Sequence, residues 1–389
     1  MKKTAVAVAV AASALGMSQF AVADCVKDSK LSLDLRNYYF NQGNDAANAT
    51  EGGQWAQGFM LNYKSGYTAG TVGFGVDLFG AAGYELADHG DDIAQLTAAG
   101  QDRLNKAGAT VKARMGNTNA YVGALRPNTP VFVANDARLL PEMVEGVLVT
   151  NQDIQGLTLA LGHVTKVSTR TSSNWVDLAP NVHDGEFSLF GADYKIMDGL
   201  TAQYYFGNLK DEYQQHFGGL KYSAEVAGGK LGADVRLFST KDETKAKDFK
   251  GDTNTLWSAL VNYSVAGHTV GLGYQQASED GSFRTVSNSA YLITERMLGA
   301  MGVKDEAVSL VSYGFDFGTV GVKGLNASVI HQMGDDRAET DVAVGYTVQE
   351  GEFKGLGARL MHGMYTTDIK DDSDKNQTRF IVSYSIPLM

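Results

Sequence analysis

The chain has 389 residues, of which 44% are hydrophobic, 10% aromatic and 20% charged, and its formal net charge at pH 7 is −11. A disordered chain would lack this many residues able to bury surface on folding, so the composition excludes disorder. The acidic charge argues against a nucleic-acid-binding protein, and after residue 23 no apolar run reaches the about 20 residues that a membrane-spanning helix needs.

The first 23 residues have the three parts of a secretory signal peptide. A pair of lysines precedes an apolar stretch that ends near Met17, and Ala21-Val22-Ala23 provides a small-x-small cleavage site. A buried N-terminal helix is the alternative, although such helices seldom combine a lysine pair with this ending. We therefore predict a signal peptide over 1–23 and a single mature domain over 24–389.

Cys25 is the only cysteine, so no disulfide can form within the chain. A lipoprotein anchor at this thiol is an alternative, but Asp24 stands where a lipid-attachment signal has a small residue. We therefore expect a free thiol.

From Leu31 onward the sequence falls into segments of about ten residues in which apolar and polar residues alternate, as in strands with one apolar face. In the first segment, leucines at every second position alternate with Ser32, Asp34 and Arg36. The predicted strands, about 18 in all, are 31–40, 55–63, 71–78, 108–116, 119–126, 144–151, 156–165, 185–196, 199–208, 215–225, 229–239, 253–264, 267–277, 305–316, 323–332, 339–349, 354–366 and 377–387.

The connections between these strands are of two kinds. Short turns rich in Gly, Asn and Asp, such as those at 116–118 and 197–199, are typical of β-hairpins. Long connections are predicted near 80–107, 127–143, 166–184, 240–252, 278–304 and 367–376. Short turns on one rim and long loops on the other indicate a transmembrane antiparallel β-barrel, and a soluble β-sandwich or β-helix is the alternative.

Two segments resemble the OprD-type outer-membrane porins. The segment 28–40 reads DSKLSLDLRNYYF, which is similar to the D-S-x-L-x-L-x-x-R-N-Y-Y-F run of that family's first strand. The segment 136–141 reads DARLLP and resembles the family's D-x-R-L-L-P motif. The resemblance extends along nearly the whole mature chain, since the order of strands and loops also matches.

The resemblance implies an all-β barrel of 18 strands, with long external loops of which some fold into the lumen. It also implies passive, substrate-selective diffusion of small solutes that usually bear a carboxylate. By position, 127–142 corresponds to the constriction loop and 278–304 to a loop that lines the eyelet. Within the constriction loop we single out Phe132, Asp136 and Arg138.

Arginines on neighbouring strands are the candidate substrate track. Barrel closure places the first strand beside the last, so Arg36, Arg359 and Arg379 lie on three consecutive strands, each in the polar phase. A lipid-facing arginine at mid-membrane costs about 2–4 kcal/mol, so we expect all three to point inward. Arg114 and Arg126 could extend the track. In the family these arginines are denser, and the alternative is that they pair with lumen acids such as Asp34 and Asp77.

The sequence predicts a porin and no cofactor or metal site. A barrel enzyme (hydrolase) is the runner-up. None of the seven histidines is followed by Ser-Asn-Gly, as resemblance to the barrel phospholipases would require, and no Asp-x-His pair is present, as resemblance to the barrel proteases would require. A structural or adhesive barrel is a third possibility. We expect a multi-pass protein of a Gram-negative outer membrane, whose partners are small solutes and outer-membrane lipid, and which is a monomer or a weak trimer.

Overall fold

The computed structural model describes residues 25–44, 52–88, 95–96, 101–178, 185–244, 253–287, 289–370 and 372–389. The predicted signal peptide, 1–23, lies outside these residues. No helix in the described part of the chain is long and apolar enough to cross a membrane.

The wall is formed by 18 long strands. They are β1 Lys30–Asn44, β2 Gly52–Lys64, β3 Gly73–Asp88, β4 Arg103–Met115, β5 Thr118–Leu125, β6 Met143–Asn151, β7 Leu157–Ser168, β8 Phe187–Met197, β9 Leu200–Leu209, β10 Tyr213–Val226, β11 Gly229–Asp242, β12 Thr253–Val265, β13 His268–Ala277, β14 Ala307–Asp316, β15 Leu325–Met333, β16 Arg337–Thr347, β17 Gly357–Thr367 and β18 Lys375–Pro387. A single 3-10 turn, Phe317–Val320, follows β14 in the described part of the chain.

Every strand pairs antiparallel with the next along the chain. The last strand returns to the first, and 13 residue pairs, from Ser32 with Pro387 to Asn44 with Lys375, close the barrel. The prediction of an all-β antiparallel barrel of about 18 strands is therefore confirmed. One extra two-residue strand, Val176–Asp177, adds to the end of β7.

Strands β3 and β4 are longer than the sequence predicted. β3 runs to Asp88 and β4 begins at Arg103, so half of the connection predicted over 80–107 is strand. Small residues explain the error, because Gly80, Ala81, Ala82 and Gly83 give no apolar alternation although they lie in a regular ladder. The long-loop rim also contains two three-residue connections, 210–212 and 334–336, beside the predicted long ones.

The two faces of the wall differ as the alternation predicts. On β2, Trp55, Phe59 and Leu61 are exposed on the outer face, whereas Ala56 and Met60 are buried on the inner face. The outer face is the one that meets lipid in a membrane barrel.

Two long connections fold into the lumen and pack on inward residues of the wall. The connection 126–142 contains a small hairpin, Asn128–Thr129 with Phe132–Val133, and Phe132 packs edge-to-face on Phe187 of β8 with ring centroids 5.2 Å apart. The connection 278–306 packs on inward residues of β10 and β11, where Phe283 contacts Phe238 at 5.0 Å between centroids. The prediction that long loops enter the lumen is thus confirmed.

Glycines of the wall make room for the first of these loops. Leu139 is 0% exposed and lies over Gly58 of β2 and Gly83 of β3. A Cβ added at Gly58 would come within 3.3 Å of Leu139, and one added at Gly83 within 2.9 Å. The DARLLP segment is therefore seated on bare backbone of the wall.

Candidate functional site

Arg36 links the wall to the constriction loop. Its Nη1 donates to Asp136 Oδ1 at 2.9 Å and its Nη2 to Asp136 Oδ2 at 3.2 Å, which is a bidentate pair. The same Nη1 also donates to the carbonyl oxygens of Arg138 at 2.8 Å and Leu139 at 3.3 Å. Arg36 is thus inward, as predicted, and its guanidinium fixes the middle of the loop.

Arg138 stacks on an aromatic ring of the wall and forms no ion pair with Asp136 among the described side chains. Its guanidinium carbon lies 4.3 Å from the ring centroid of Phe40, a cation–π geometry. Burial, together with the nearby charges of Arg379 and Arg170, lowers the pKa of Arg138 to about 10. It remains charged at neutral pH. The ion-pair partner of Asp136 is therefore Arg36, and Arg138 contributes an additional positive charge.

Arg379 links the wall to the second lumen loop. It is buried, and its Nη2 donates to the carbonyl oxygen of Met297 at 2.6 Å while its Nε donates to Gln377. The strand phase confirms that it faces inward, since its ladder partner on β1 is the fully buried Phe40.

Two further arginines lie in loops beside this group. Arg126 stacks over Phe79 at 4.4 Å, and burial and the charge of Arg36 lower its pKa. Arg170, which follows β7, has a pKa lowered by burial and by the charge of Arg379. Sequence analysis missed Arg170, because 166–184 was interpreted only as a long connection and no motif marks this residue.

The remaining two predicted track residues lie elsewhere. Arg359 has the inward phase of β17, where it pairs with Ile381, and it makes no hydrogen bond or ion pair with any of the described residues. Arg114 lies near the short-turn end of β4, with its guanidinium 4.4 Å from the centroid of Tyr67. Neither residue contacts the constriction loop within the described part of the chain.

The wall acids are engaged by other groups. Asp34 accepts from Asn62 Nδ2 at 2.7 Å and from the hydroxyl of Ser385, and Asp77 pairs with Lys112 at 2.6 Å. None of the track arginines therefore forms an ion pair with Asp34 or Asp77 among the described side chains. The acid that pairs with Arg36 is Asp136.

A hydrogen bond joins the two lumen loops. Ser287 of the second loop donates through its hydroxyl to the carbonyl oxygen of Val133 in the first, at 2.5 Å. The tip of the second loop is held on the opposite side by wall carboxylates, since Leu298 N donates to Glu339 at 2.8 Å and Met297 N to Asp341 at 3.3 Å. Basic groups thus border the first loop, and acidic groups anchor the second.

No cluster of three or more potential metal ligands occurs among the described residues. The chemistry this arrangement offers is electrostatic: guanidinium groups held on the inner side of the barrel can form charge-assisted hydrogen bonds.

Comparison with known proteins gives one consistent result. A model described as "outer membrane porin, OprD family" matches residues 23–388. Porin D of Pseudomonas aeruginosa is 30% identical over 450 residues, which cover 100% of this chain and 99% of that protein. The crystal structure of P. aeruginosa OccK9 (OpdG) superposes with a TM-score of 0.88 at 31% identity, covering 94% of this chain and 100% of that one. That of P. aeruginosa OpdK with vanillate superposes with a TM-score of 0.87 at 30% identity, covering 93% and 99%.

Proposed function

The chain belongs to the OprD family of outer-membrane porins, and from that premise we propose that its constriction selects small solutes bearing a carboxylate. The protein is accordingly a multi-pass barrel of a Gram-negative outer membrane and a substrate-specific channel, and its relatives are porins and not enzymes. We further propose that residues 1–23 direct export and that 24–389 form the single barrel domain.

The observation that carries the carboxylate proposal is the excess of positive charge at the constriction. Five arginines border it, namely Arg36, Arg126, Arg138, Arg170 and Arg379. Among the described side chains, Asp136 is the one carboxylate that forms an ion pair with any of them, and Glu142 and Glu295 attract Arg170 from farther away. A carboxylate entering the path therefore meets guanidinium groups whose charge is incompletely balanced.

The chemistry of these groups suits transient binding. A guanidinium presents paired donors that match a carboxylate and keeps its charge at any working pH. Binding that is weak and divided over several sites allows the solute to leave toward the periplasm. Arg359 and Arg114, which lie nearer the short-turn rim, extend the same charge along the lumen in this proposal.

The relatives support a carboxylate substrate indirectly. OpdK has been solved with vanillate, which is itself a carboxylate. Because one chain closes its own barrel, each copy would form a complete pore whether the protein is a monomer or a weak trimer.

Flux through proteoliposomes tests the proposal. The substitutions Arg36→Ala and Arg379→Ala should each lower the flux of a small carboxylate relative to that of a neutral sugar by about fivefold or more, since each removes a charge-assisted partner. Arg126→Ala should act in the same direction.

Arg36→Lys and Arg379→Lys serve as controls that keep the charge but lose the bidentate fork. Folded barrels in which both Ala variants pass carboxylate and sugar at the wild-type ratio would show that the arginines only hold the loops.

A further inference from the structure

The constriction loop leaves a gap in the barrel wall. β5 is short, and its ladder with β4 covers only Thr110–Met115, paired with Thr118–Gly123. Residues 103–109 of β4 pair with β3 on one side, and no ladder among the described residues covers their other side. The chain that would have continued β5 instead turns into the lumen as residues 126–142.

Lys106 lies on this unpaired part of β4, with its side chain directed inward. The residue is 4% exposed. Its Nζ donates to the carbonyl oxygens of Pro141 at 2.9 Å, Ser168 at 3.0 Å and Thr169 at 2.5 Å. Three acceptors satisfy all three N–H groups of an ammonium.

The partners of Lys106 belong to two separate segments of the constriction. Pro141 ends the DARLLP segment, three residues after Arg138, and Thr169 directly precedes Arg170. A single ammonium therefore joins the chain that carries Arg138 to the chain that carries Arg170.

The binding mode of Lys106 differs from that of an ordinary buried lysine. Within the described part of the chain no carboxylate forms an ion pair with it. Three neutral carbonyl groups hold the ammonium directly, and the buried carboxylate of Glu142 attracts it from farther away. Burying a charge without a direct ion-pair partner is costly, and an apolar replacement would leave three buried carbonyl oxygens without a donor. A buried charge of this kind adds little to the free energy of unfolding. Its role is better explained by the two chain segments that it holds together.

We infer that Lys106 is a positioning residue for permeation, which fastens the constriction loop to the start of the 169–186 connection and so sets the spacing of Arg138 and Arg170. This inference rests on the proposed function, because the spacing matters only if those arginines bind the solute. Lys106 itself does not contact the path.

Lys112 provides a matched control. It lies on the same strand and the same inward face, is 6% exposed, and also donates to buried partners, Asp77 and the carbonyl oxygen of Ser65. It contacts no residue of the constriction loop among those described. Lys112→Met therefore removes an equally buried inward lysine from β4 without touching the constriction.

The test compares the carboxylate-to-sugar flux ratio of folded Lys106→Met and Lys112→Met barrels in proteoliposomes. We expect the ratio to fall about threefold or more in Lys106→Met, with neutral-sugar flux unchanged or raised, and to stay near wild type in Lys112→Met. Lys106→Arg, which can reach the same carbonyl oxygens, should restore part of the ratio. If Lys106→Met does not insert, Lys106→Gln replaces it, because the amide keeps N–H donors without the charge.

A wild-type ratio in folded Lys106→Met, or an equal fall in Lys112→Met, would overturn the inference. Failure of the proposed function is separable: in that case Arg36→Ala and Arg379→Ala also leave the ratio unchanged. Open-channel current noise then tests whether Lys106 holds the constriction loop. If it does, the noise must rise in Lys106→Met and not in Lys112→Met.

Discussion

Asp136 partly neutralises the arginine it contacts. Its side chain is 52% exposed, so solvent screens its pair with Arg36, and the pair contributes little stability despite its bidentate geometry. What the carboxylate does affect is the charge that a solute meets. The pair therefore affects the charge selectivity of the pore more than the stability of the fold.

Replacing Asp136 by Asn should increase the preference of the pore for carboxylates. Asp136→Asn keeps the shape of the side chain but removes the negative charge, so carboxylate flux relative to neutral sugar should rise by up to about fivefold, equivalent to about 1 kcal/mol. Reversal potentials in asymmetric salt should shift toward anion selectivity. A ratio below wild type would mean that the pair is needed to hold the loop.

Gly83 shows how a single missing side chain supports the constriction. A leucine at this position would meet Leu96 and Leu139, whose atoms lie 2.7 and 2.9 Å from the added Cβ. Gly83→Leu should therefore displace the loop and lower the free energy of unfolding by about 1–3 kcal/mol.

Gly80→Leu is the control for that substitution, because it lies on the same strand with nothing within 4 Å of an added Cβ. Denaturant titration of both variants and single-channel recording check the prediction. Equal stability of the two variants would contradict it.

At the scale of elements, alternation predicted the strands well where one face is large and apolar. β1, β12 and β18 were predicted within a few residues, because bulky outward residues alternate with polar inward ones. Alternation did not predict the C-terminal half of β3, because glycine and alanine there give no contrast in hydrophobicity between the two faces. There the strand is dictated by its neighbours and by loop side chains that need the space.

The site could be predicted only in part, for a related reason. A strand phase determines whether Arg36 or Arg379 points inward, so those directions followed from the sequence. The partners of loop residues depend on how a connection folds back across the lumen, and no local pattern encodes that Asp136 meets Arg36 or that Arg170 joins the group. The family motif located the loop but not its contacts.

The constriction loop itself can be tested by shortening it. Deletion of residues 132–136 removes the buried Phe132 and its contact with Phe187, and also the partner of Arg36. We expect a larger single-channel conductance with the barrel still folded, since the wall ladders do not involve these residues. Phe132→Ala, which keeps the loop length, should destabilise by about 3–5 kcal/mol with a smaller change in conductance. Unchanged conductance in the deletion variant would place the loop outside the path.

On the scale of the whole molecule, the membrane treats the two faces of the wall differently. Leu272 of β13 is exposed on the outer face, and Asn262 of the neighbouring β12 lies on the inner face. Leu272→Arg should lower the free energy of unfolding in lipid vesicles by about 2–4 kcal/mol, whereas Asn262→Arg should change it by about 1 kcal/mol or less. Similar losses in both variants would mean that the assignment of faces is wrong.

The pairing of β1 with β18 also determines when the barrel can close during folding. Its 13 residue pairs join segments that are nearly the full chain apart, from Ser32 with Pro387 to Asn44 with Lys375. Contacts of such long sequence separation form slowly, and until they form both terminal strands present open edges that can pair with other chains. The barrel therefore cannot be completed progressively as the chain emerges: its last strand must arrive before its first is covered, and the waiting chain has to be kept apart from its own copies during its passage to the membrane.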